Sequence, residues 1–257
     1  MLGISIYGIT GRMGQSLLRA LGETPQLSLC GAVASGTSAR LGLDAAAGGE
    51  ACGVTVTADA DAALTGAAVA LDFSLPQCVA GHARACVAAK VPLLVGTTGF
   101  DAKTRMALEA AALDIAVLVA PNTSIAVALM LELAARAART LGPGYAVEIF
   151  EAHHRMKRDA PSGTALALGE AVALARGEKL ADVEFAVLRA GDIVGEHTVS
   201  FSGQAERIEL THRATDRLAF ARGALRAAQW LAGQPAGLYA MQHVIGAWAM
   251  DSDRAHR

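Results

Sequence analysis

The sequence predicts an α/β fold in which a parallel-sheet domain is followed by an α+β domain with an open mixed sheet, and three observations carry that prediction. Over the first half, short apolar runs alternate with longer alanine-rich segments of helical character. The junction of the first such pair is rich in glycine, GITGRMG at positions 8–14. From position 145 onward the pattern changes to strands in which apolar and polar residues alternate. Strand–helix alternation builds βαβ units around a sheet buried on both faces, whereas alternation within a strand marks a sheet with one covered face and one free face.

Taken in order, LGISIY reads as a strand and RMGQSLLRAL as the helix after it; LSLCGAVA and AVALDFS are strands, CVAGHARACVAA a helix, VPLLVG a strand, AKTRMALEAAA a helix and IAVLVA a strand. After Ser124, a candidate N-cap, IAVALMLELAARAARTLG reads as one long helix that stops at Gly142. In the second half YAVEIFEA, VEFAVL, HTVSF and RIELTH are strands, and TALALGEAVALARG and RLAFARGALRAAQWLAG are helices. The domains are therefore expected at 1–122 and 123–232, with the tail 233–257 packing back on the first.

Composition narrows the function. Apolar residues make up 53% of the chain, yet the long charge-free run between Asp114 and Glu132 is interrupted by Pro-Asn-Thr-Ser, so it is a strand, a loop and a helix start and not a membrane span. The opening MLGISIYG lacks the basic region and cleavage site of a secretory signal, which places the protein in the cytoplasm as an expectation. A net charge of -2, with no lysine or arginine run beside aromatic residues, argues against nucleic acid as a partner. Cys30, Cys52, Cys78 and Cys86 show no C-x-x-C spacing and read as small buried thiols. A small-molecule site is what remains.

In open parallel sheets ligands gather at the carboxyl ends of strands, and GITGRMG, DFSLP, GTTGF and APNTS all follow apolar runs. Gly8, Gly11 and Gly14 permit a tight turn and a close approach of backbone N–H groups to a pyrophosphate at a helix N-terminus, the logic of a Rossmann-like dinucleotide site. Their G-x-x-G-x-x-G spacing departs from the usual fingerprint, and glycines also simply end strands. Arg12 adds a guanidinium within reach of phosphate, or a solvated surface charge. The acid that usually holds the adenine ribose is replaced by Ala34 and Ser35, followed by Thr37, Ser38 and Arg40. That set tolerates a 2′-phosphate and favours NADPH over NADH.

The most concentrated chemistry lies in EAHHRMKRDAPSGTA at 151–165. The step Ser162-Gly163-Thr164 opens a helix, so its amides form a site for one carboxylate, while Ser162 can cap. His153 and His154 can reach one ligand only if the strand ends or bends there, and Lys157 can then serve a second carboxylate. A solvated basic loop is the alternative. No metal is expected, because the histidines lack His-x-x-x-His spacing and no cysteine is near. Arg189, Asp192, Glu196, His197 and His212 are polar residues near later strand ends, suited to a site or equally to domain and subunit contacts.

Together GITGRMG, DFSLP, GTTGF, APNTS, EAHHRMKRDAPSGTA, RAGDIVGEHTVSF and RIELTHRATDRLAFARGALRAAQWL resemble the 4-hydroxy-tetrahydrodipicolinate reductases (dihydrodipicolinate reductases) of lysine and diaminopimelate biosynthesis, over nearly the whole chain. The resemblance implies a two-domain homotetramer that reduces a cyclic dicarboxylate with NADH or NADPH. It further implies His153 as proton donor, Lys157 as a second donor, His154 as a substrate ligand, and the amides of Gly163 and Thr164 as a carboxylate clamp. Cofactor contacts would fall on Gly8, Ile9, Thr10, Gly11, Arg12 and Met13, on Gly96, Thr97 and Thr98, and on Ala120, Pro121, Asn122 and Thr123. Two departures stand out: Ala34 and Ser35 replace an acidic-basic pair frequent in the family, and the region before RAGDIVGEHT is shorter than in some relatives. The rival readings are another two-domain nicotinamide reductase of a small acid and a dinucleotide-binding sensor without turnover, which would need no dicarboxylate cradle.

Overall fold

A computed structural model describes residues 1–46 and 50–247. The chain runs through β1 (Leu2–Tyr7), α1 (Arg12–Gly22), β2 (Leu27–Val33), β3 (Val56–Thr57), β4 (Val69–Asp72), α2 (Val79–Ala89), β5 (Leu93–Val95), α3 (Ala102–Ala111) and β6 (Ala116–Val119). It continues through α4 (Ile125–Leu141), β7 (Ala146–His153), α5 (Gly163–Arg176), β8 (Glu184–Arg189), β9 (Gly195–Ser202), β10 (Arg207–Ala214), α6 (Leu218–Leu231) and β11 (Gly237–Tyr239). Two compact units result, Met1–Ser124 with the chain from Phe220 onward, and Ile125–Ala219.

In the first unit seven strands form one sheet in the order β11-β6-β5-β4-β1-β2-β3, all neighbours parallel. Parallel strands with helices on both faces must be apolar on both, and β4 is buried at every position. Ile4, Ile6, Leu71, Leu93, Leu94, Val117 and Leu118 are wholly buried. The return to this unit comes at Phe220, earlier than the 233 expected from sequence. Its cause is an alanine-rich stripe on α6: Ala221, Ala224, Leu225, Ala228 and Leu231 are at most 2% exposed, and small side chains at this spacing let a helix lie close on its support. The Thr123 hydroxyl donates to the Phe220 carbonyl at 2.7 Å, and Arg222 pairs with Glu23 at 2.7 Å. Gly237–Tyr239 then adds β11 beside β6, while residues 248–257 of the expected tail lie outside the described residues.

The second unit holds a four-stranded sheet in the order β10-β9-β7-β8, with β7 and β8 parallel and the other pairs antiparallel. Val147, Ile149, Val199 and Phe201 project from one face onto Met130, Ala134 and Ala138 of α4 and Leu168 and Val172 of α5. Along β9 buried and half-buried residues alternate strictly. The opposite face, with Glu148, Phe150, Thr198 and Ser200, is not covered by these helices, and Phe150 is 39% exposed.

Among the described residues no helix is long and apolar enough to cross a membrane. The cysteines are free, and the expectation that all are buried holds only for Cys86: Cys30 and Cys78 are half-buried, and Cys52 is exposed and directs its thiol to Asp44 Oδ1 at 3.3 Å.

Candidate active site

Strand order reverses between β1 and β4, and this topological switch point is where an open α/β sheet leaves a crevice at its carboxyl edge. The glycines make the loop there possible. Gly8 has φ +85°, and a Cβ on it would lie 2.4 Å from the Phe73 carbonyl oxygen; a Cβ on Gly14 would lie 2.4 Å from the Gly8 oxygen. Gly11 is the N-cap of α1, whose first turn carries no acid. The amides of Thr10, Arg12 and Met13 find no acceptor among the described residues, and Thr10, Gly11 and Arg12 are exposed. A turn with unmet donors at a positive helix end fits the pyrophosphate of a dinucleotide. Ile9 differs from its neighbours, being wholly buried with its amide donating to the Val33 carbonyl at 3.0 Å, so it shapes the turn.

Asp72, the last residue of β4, is wholly buried and organises the neighbouring loops. Its Oδ1 accepts from the Ser74 amide (2.9 Å), the Ser74 hydroxyl (2.6 Å) and the Thr97 hydroxyl (2.9 Å), and its Oδ2 accepts from His82 Nδ1 (2.7 Å). The His82 ring stacks on Tyr7, with centroids 4.2 Å apart. The Gly96 and Thr97 amides both donate to the Asp72 carbonyl, and a Cβ on Gly96 would come within 2.1 Å of the Phe73 ring. Thr97 and Thr123 thus use their hydroxyls to fix the crevice walls, whereas Thr98 and Pro121 are exposed, Asn122 is half-buried and Ala120 is buried. In the sequence Asp72 is marked only as the first residue of DFSLP, with no role attached, and His82 carries no mark at all.

At the end of β2, Ala34 donates to Thr57, and the Ser35 and Thr37 hydroxyls lie 3.0 Å apart. Arg40 departs from expectation. Its guanidinium turns to the carbonyls of Asp44 (2.5 Å) and Ala46 (3.3 Å), where it holds the following loop. Amide hydrogen bonds from Ala46 and Cys52 hold the Asp44 carboxyl at about 2.

In the second unit a buried carboxylate again sits at the centre. Alternation on β7 puts Glu151 and His153 on one face, and the sheet register sets His197 of β9 opposite Glu151 and Arg189 of β8 beside His153. Glu151, wholly buried, accepts from Arg189 through both oxygens (2.8 and 2.7 Å), from His153 Nδ1 at 2.6 Å and from the Ser162 amide at 3.0 Å. The Ser162 hydroxyl caps α5 by accepting from the Ala165 amide, and it hydrogen-bonds His197 Nε2 at 3.1 Å. Gly195 leaves room for the His153 ring, since a Cβ there would lie 3.0 Å from Nε2.

Strand β7 ends at His153, and the Lys157 amide closes a turn onto the His154 carbonyl, so the two histidines escape strict strand alternation. His154 is half-buried, and the Lys157 ammonium pairs with Asp159 at 2.8 Å. Gly163 and Thr164 are the first two residues of α5, where amides have no intrahelical carbonyl to bond. Of the later polar residues, Arg189 and His197 enter this cluster, His212 faces His197 across the sheet, and Glu196 pairs instead with Arg213.

Burial pushes the His153 imidazole below its ordinary value; Glu151 opposes this, while Lys157 and Arg189 add to the lowering. Burial raises the Glu151 carboxyl, but hydrogen bonds from Arg189 and His153 outweigh it and leave the group below the carboxylate range. Burial, then the charge of His153, lowers His197 to about 4. Unfolded histidine takes up a proton near 6.5, so between 6.5 and about 4 the unfolded chain binds more protons than the native one. Stability must therefore fall as pH falls through that window. Thermal melts from pH 7 to pH 4.5 are expected to show a declining Tm, and His197→Gln a shallower decline; parallel profiles would refute the contribution of His197.

The chain matches two family models, "Dihydrodipicolinate reductase, N-terminus" over residues 2–123 and "Dihydrodipicolinate reductase, C-terminus" over 126–245. A 4-hydroxy-tetrahydrodipicolinate reductase of Thiobacillus denitrificans is 47% identical over 261 residues, 95% of this chain and 98% of that protein. One of Anaeromyxobacter dehalogenans is 46% identical, covering 96% and 98%. Among solved structures, a dipicolinate-bound dihydrodipicolinate reductase from Paenisporosarcina sp. TG-14 shares the fold at a TM-score of 0.77 and 24% identity, with 93% of this chain and 97% of that chain covered. With matches spanning both halves of the sequence, the chain belongs to the dihydrodipicolinate reductase family.

Proposed function

We propose that this chain reduces 4-hydroxy-tetrahydrodipicolinate to tetrahydrodipicolinate with a nicotinamide cofactor, in lysine and diaminopimelate biosynthesis. The observation that carries the reading is the gathering of a histidine, an arginine and a helix N-terminus around buried Glu151, with Lys157 near enough for its charge to act on His153, within a chain of this family. The substrate is a cyclic imine with two carboxylates, and it loses its 4-hydroxyl as water. A reduced nicotinamide, when bound, supplies the hydride. His153 gives a proton from Nε2 to the electron-rich enamine carbon that results, and Lys157 serves as a second donor. The amides of Gly163 and Thr164 hold one carboxylate, and His154 contributes to substrate binding.

The Thr10–Met13 turn would hold the pyrophosphate, with Gly8 shaping it and Gly96, Thr98, Pro121 and Asn122 lying along the same sheet edge. Absence of an acid at Ala34 and Ser35, with hydroxyls at Ser35, Thr37 and Ser38, favours NADPH; Arg40 no longer supports that choice. The uncovered face of the second sheet serves a homotetramer, and the enzyme is cytoplasmic.

A coupled assay tests the reading: substrate is generated from pyruvate and aspartate semialdehyde by the preceding synthase, and NADPH oxidation is followed by absorbance. Turnover that dipicolinate slows competitively is the expected result; no oxidation above the synthase-free control would sink the proposal. The kcat/KM ratio is expected to favour NADPH, and a strong preference for NADH would overturn the reading of residues 34–38.

A further inference from the structure

We propose that Glu151 is the positioning residue of the proton donor, its buried carboxylate fixing His153 in the Nδ1–H tautomer and tying that ring to the amide end of α5. The inference rests on the reading of His153 as the donor. A carboxylate with no proton of its own can only accept, so the 2.6 Å contact requires a hydrogen on Nδ1. In the neutral ring Nε2 is then the nitrogen with the lone pair, and every proton exchanged with a substrate passes through that atom.

Both Glu151 oxygens are committed. Oε2 takes His153 Nδ1 and one Arg189 nitrogen; Oε1 takes the other Arg189 nitrogen and the Ser162 amide. Arg189 is itself held by the Asp159 carbonyl at 2.6 Å. The ring therefore cannot turn without breaking a bond to a wholly buried charge, and helix α5 cannot slide without pulling on the same carboxylate. One side chain thereby keeps the proton donor and the first turn of α5 in register. The groups facing His153 are Glu151 on its own strand, Arg189 on β8, His197 on β9 with its ring 5.2 Å away, Lys157 in the loop, and Ser162 through Glu151.

Neutral replacement cannot reproduce this. Wherever a glutamine places its NH2 group, that group meets a donor, either Arg189 or Ser162 on one side or His153 and Arg189 on the other. The ring is freed to take the other tautomer. Replacing a carboxylate that orients a catalytic imidazole is expected to lower turnover by about 10²–10⁴-fold. The experiment compares wild type, Glu151→Gln and Glu151→Asp by steady-state kinetics and by the ring-nitrogen NMR shifts of His153 at neutral pH. Expected are a protonated Nδ1 and unprotonated Nε2 in the wild type, a mixed or reversed tautomer with collapsed kcat in Glu151→Gln, and partial recovery in Glu151→Asp. The NADPH KM should hold in both variants, since the dinucleotide turn belongs to the other unit. Turnover of Glu151→Gln within about threefold of wild type, or a wild-type ring protonated at Nε2 and not at Nδ1, would overturn the proposal. Should Glu151→Gln fail to fold, the wild-type ring spectrum decides. A wild type that does not turn over the substrate at all defeats the functional reading instead, and the tautomer measurement still judges this one.

Discussion

His153→Ala is expected to lower kcat by about 10²–10⁴-fold while leaving the KM for NADPH nearly unchanged, the range that a positioned general acid supplies. The expectation follows from where the ring sits. Nδ1 is engaged by Glu151, and Nε2 faces the gap left by Gly195. Alanine removes the proton source and leaves the buried Glu151 carboxylate one donor short, so Tm should also fall, by the equivalent of about 1–3 kcal/mol. Kinetics measured well below that Tm separate the two effects.

The pH profile gives a second handle. A donor must be protonated, so kcat/KM falls as pH rises through the His153 value of the free enzyme. Burial has moved that value below about 6.5, which places the limb on the acid side of neutrality. Two carboxylates on a bound substrate favour the charged ring, so the corresponding limb in kcat should lie at higher pH than the one in kcat/KM. Both limbs should vanish in His153→Ala. Near-wild-type turnover with the limbs intact would remove His153 from the chemistry.

What could be read from sequence followed physical lines. The strands of the parallel sheet were legible because burial on both faces writes them as continuous apolar runs, as in Val69–Asp72. Two strands left no such mark, since Val56–Thr57 and Gly237–Tyr239 are too short to carry a period. The second unit's open sheet was legible from the alternation in β9. Helix α6 was assigned to the wrong unit because an alanine stripe shows which face is buried but not what buries it.

At the site, the local clusters were visible and their long-range partners were not. Glu151 and His153, two residues apart on β7, share a strand face. Arg189, 38 residues away, becomes a neighbour only because β7 and β8 pair in parallel across α5, and nothing local in either segment announces that register. Arg40 shows the converse error. A cation in a polar loop after β2 looked available to a phosphate, but two carbonyls of its own loop claimed it first, as unmet backbone acceptors commonly do.

Gly8→Ala is expected to raise the KM for NADPH by about 10–100-fold with a smaller change in kcat, together with a lower Tm. The methyl group enters at φ +85°, where L-residues are strained, and it meets Phe73 oxygen at 2.4 Å, Phe73 carbon at 2.8 Å and Ser74 Cα at 2.9 Å. These are backbone atoms, so no side-chain rotation relieves the clash. Either the turn lifts from the end of β4 or β4 yields, and β4 is pinned by Asp72 with its four hydrogen bonds to Ser74, Thr97 and His82. The turn is the part that moves, and it carries the amides of Thr10, Arg12 and Met13 with it. A strain of about 1–3 kcal/mol, at about 1.4 kcal/mol per tenfold in affinity, corresponds to that rise in KM. Gly22→Ala, at the far end of α1, is the control, because nothing lies within 4 Å of its would-be Cβ and its φ lies outside the positive range. Fluorescence titration with NADPH and thermal melts of both variants measure the contrast. If Gly8→Ala binds NADPH as tightly as Gly22→Ala does, the turn between β1 and α1 is not the element that holds the dinucleotide.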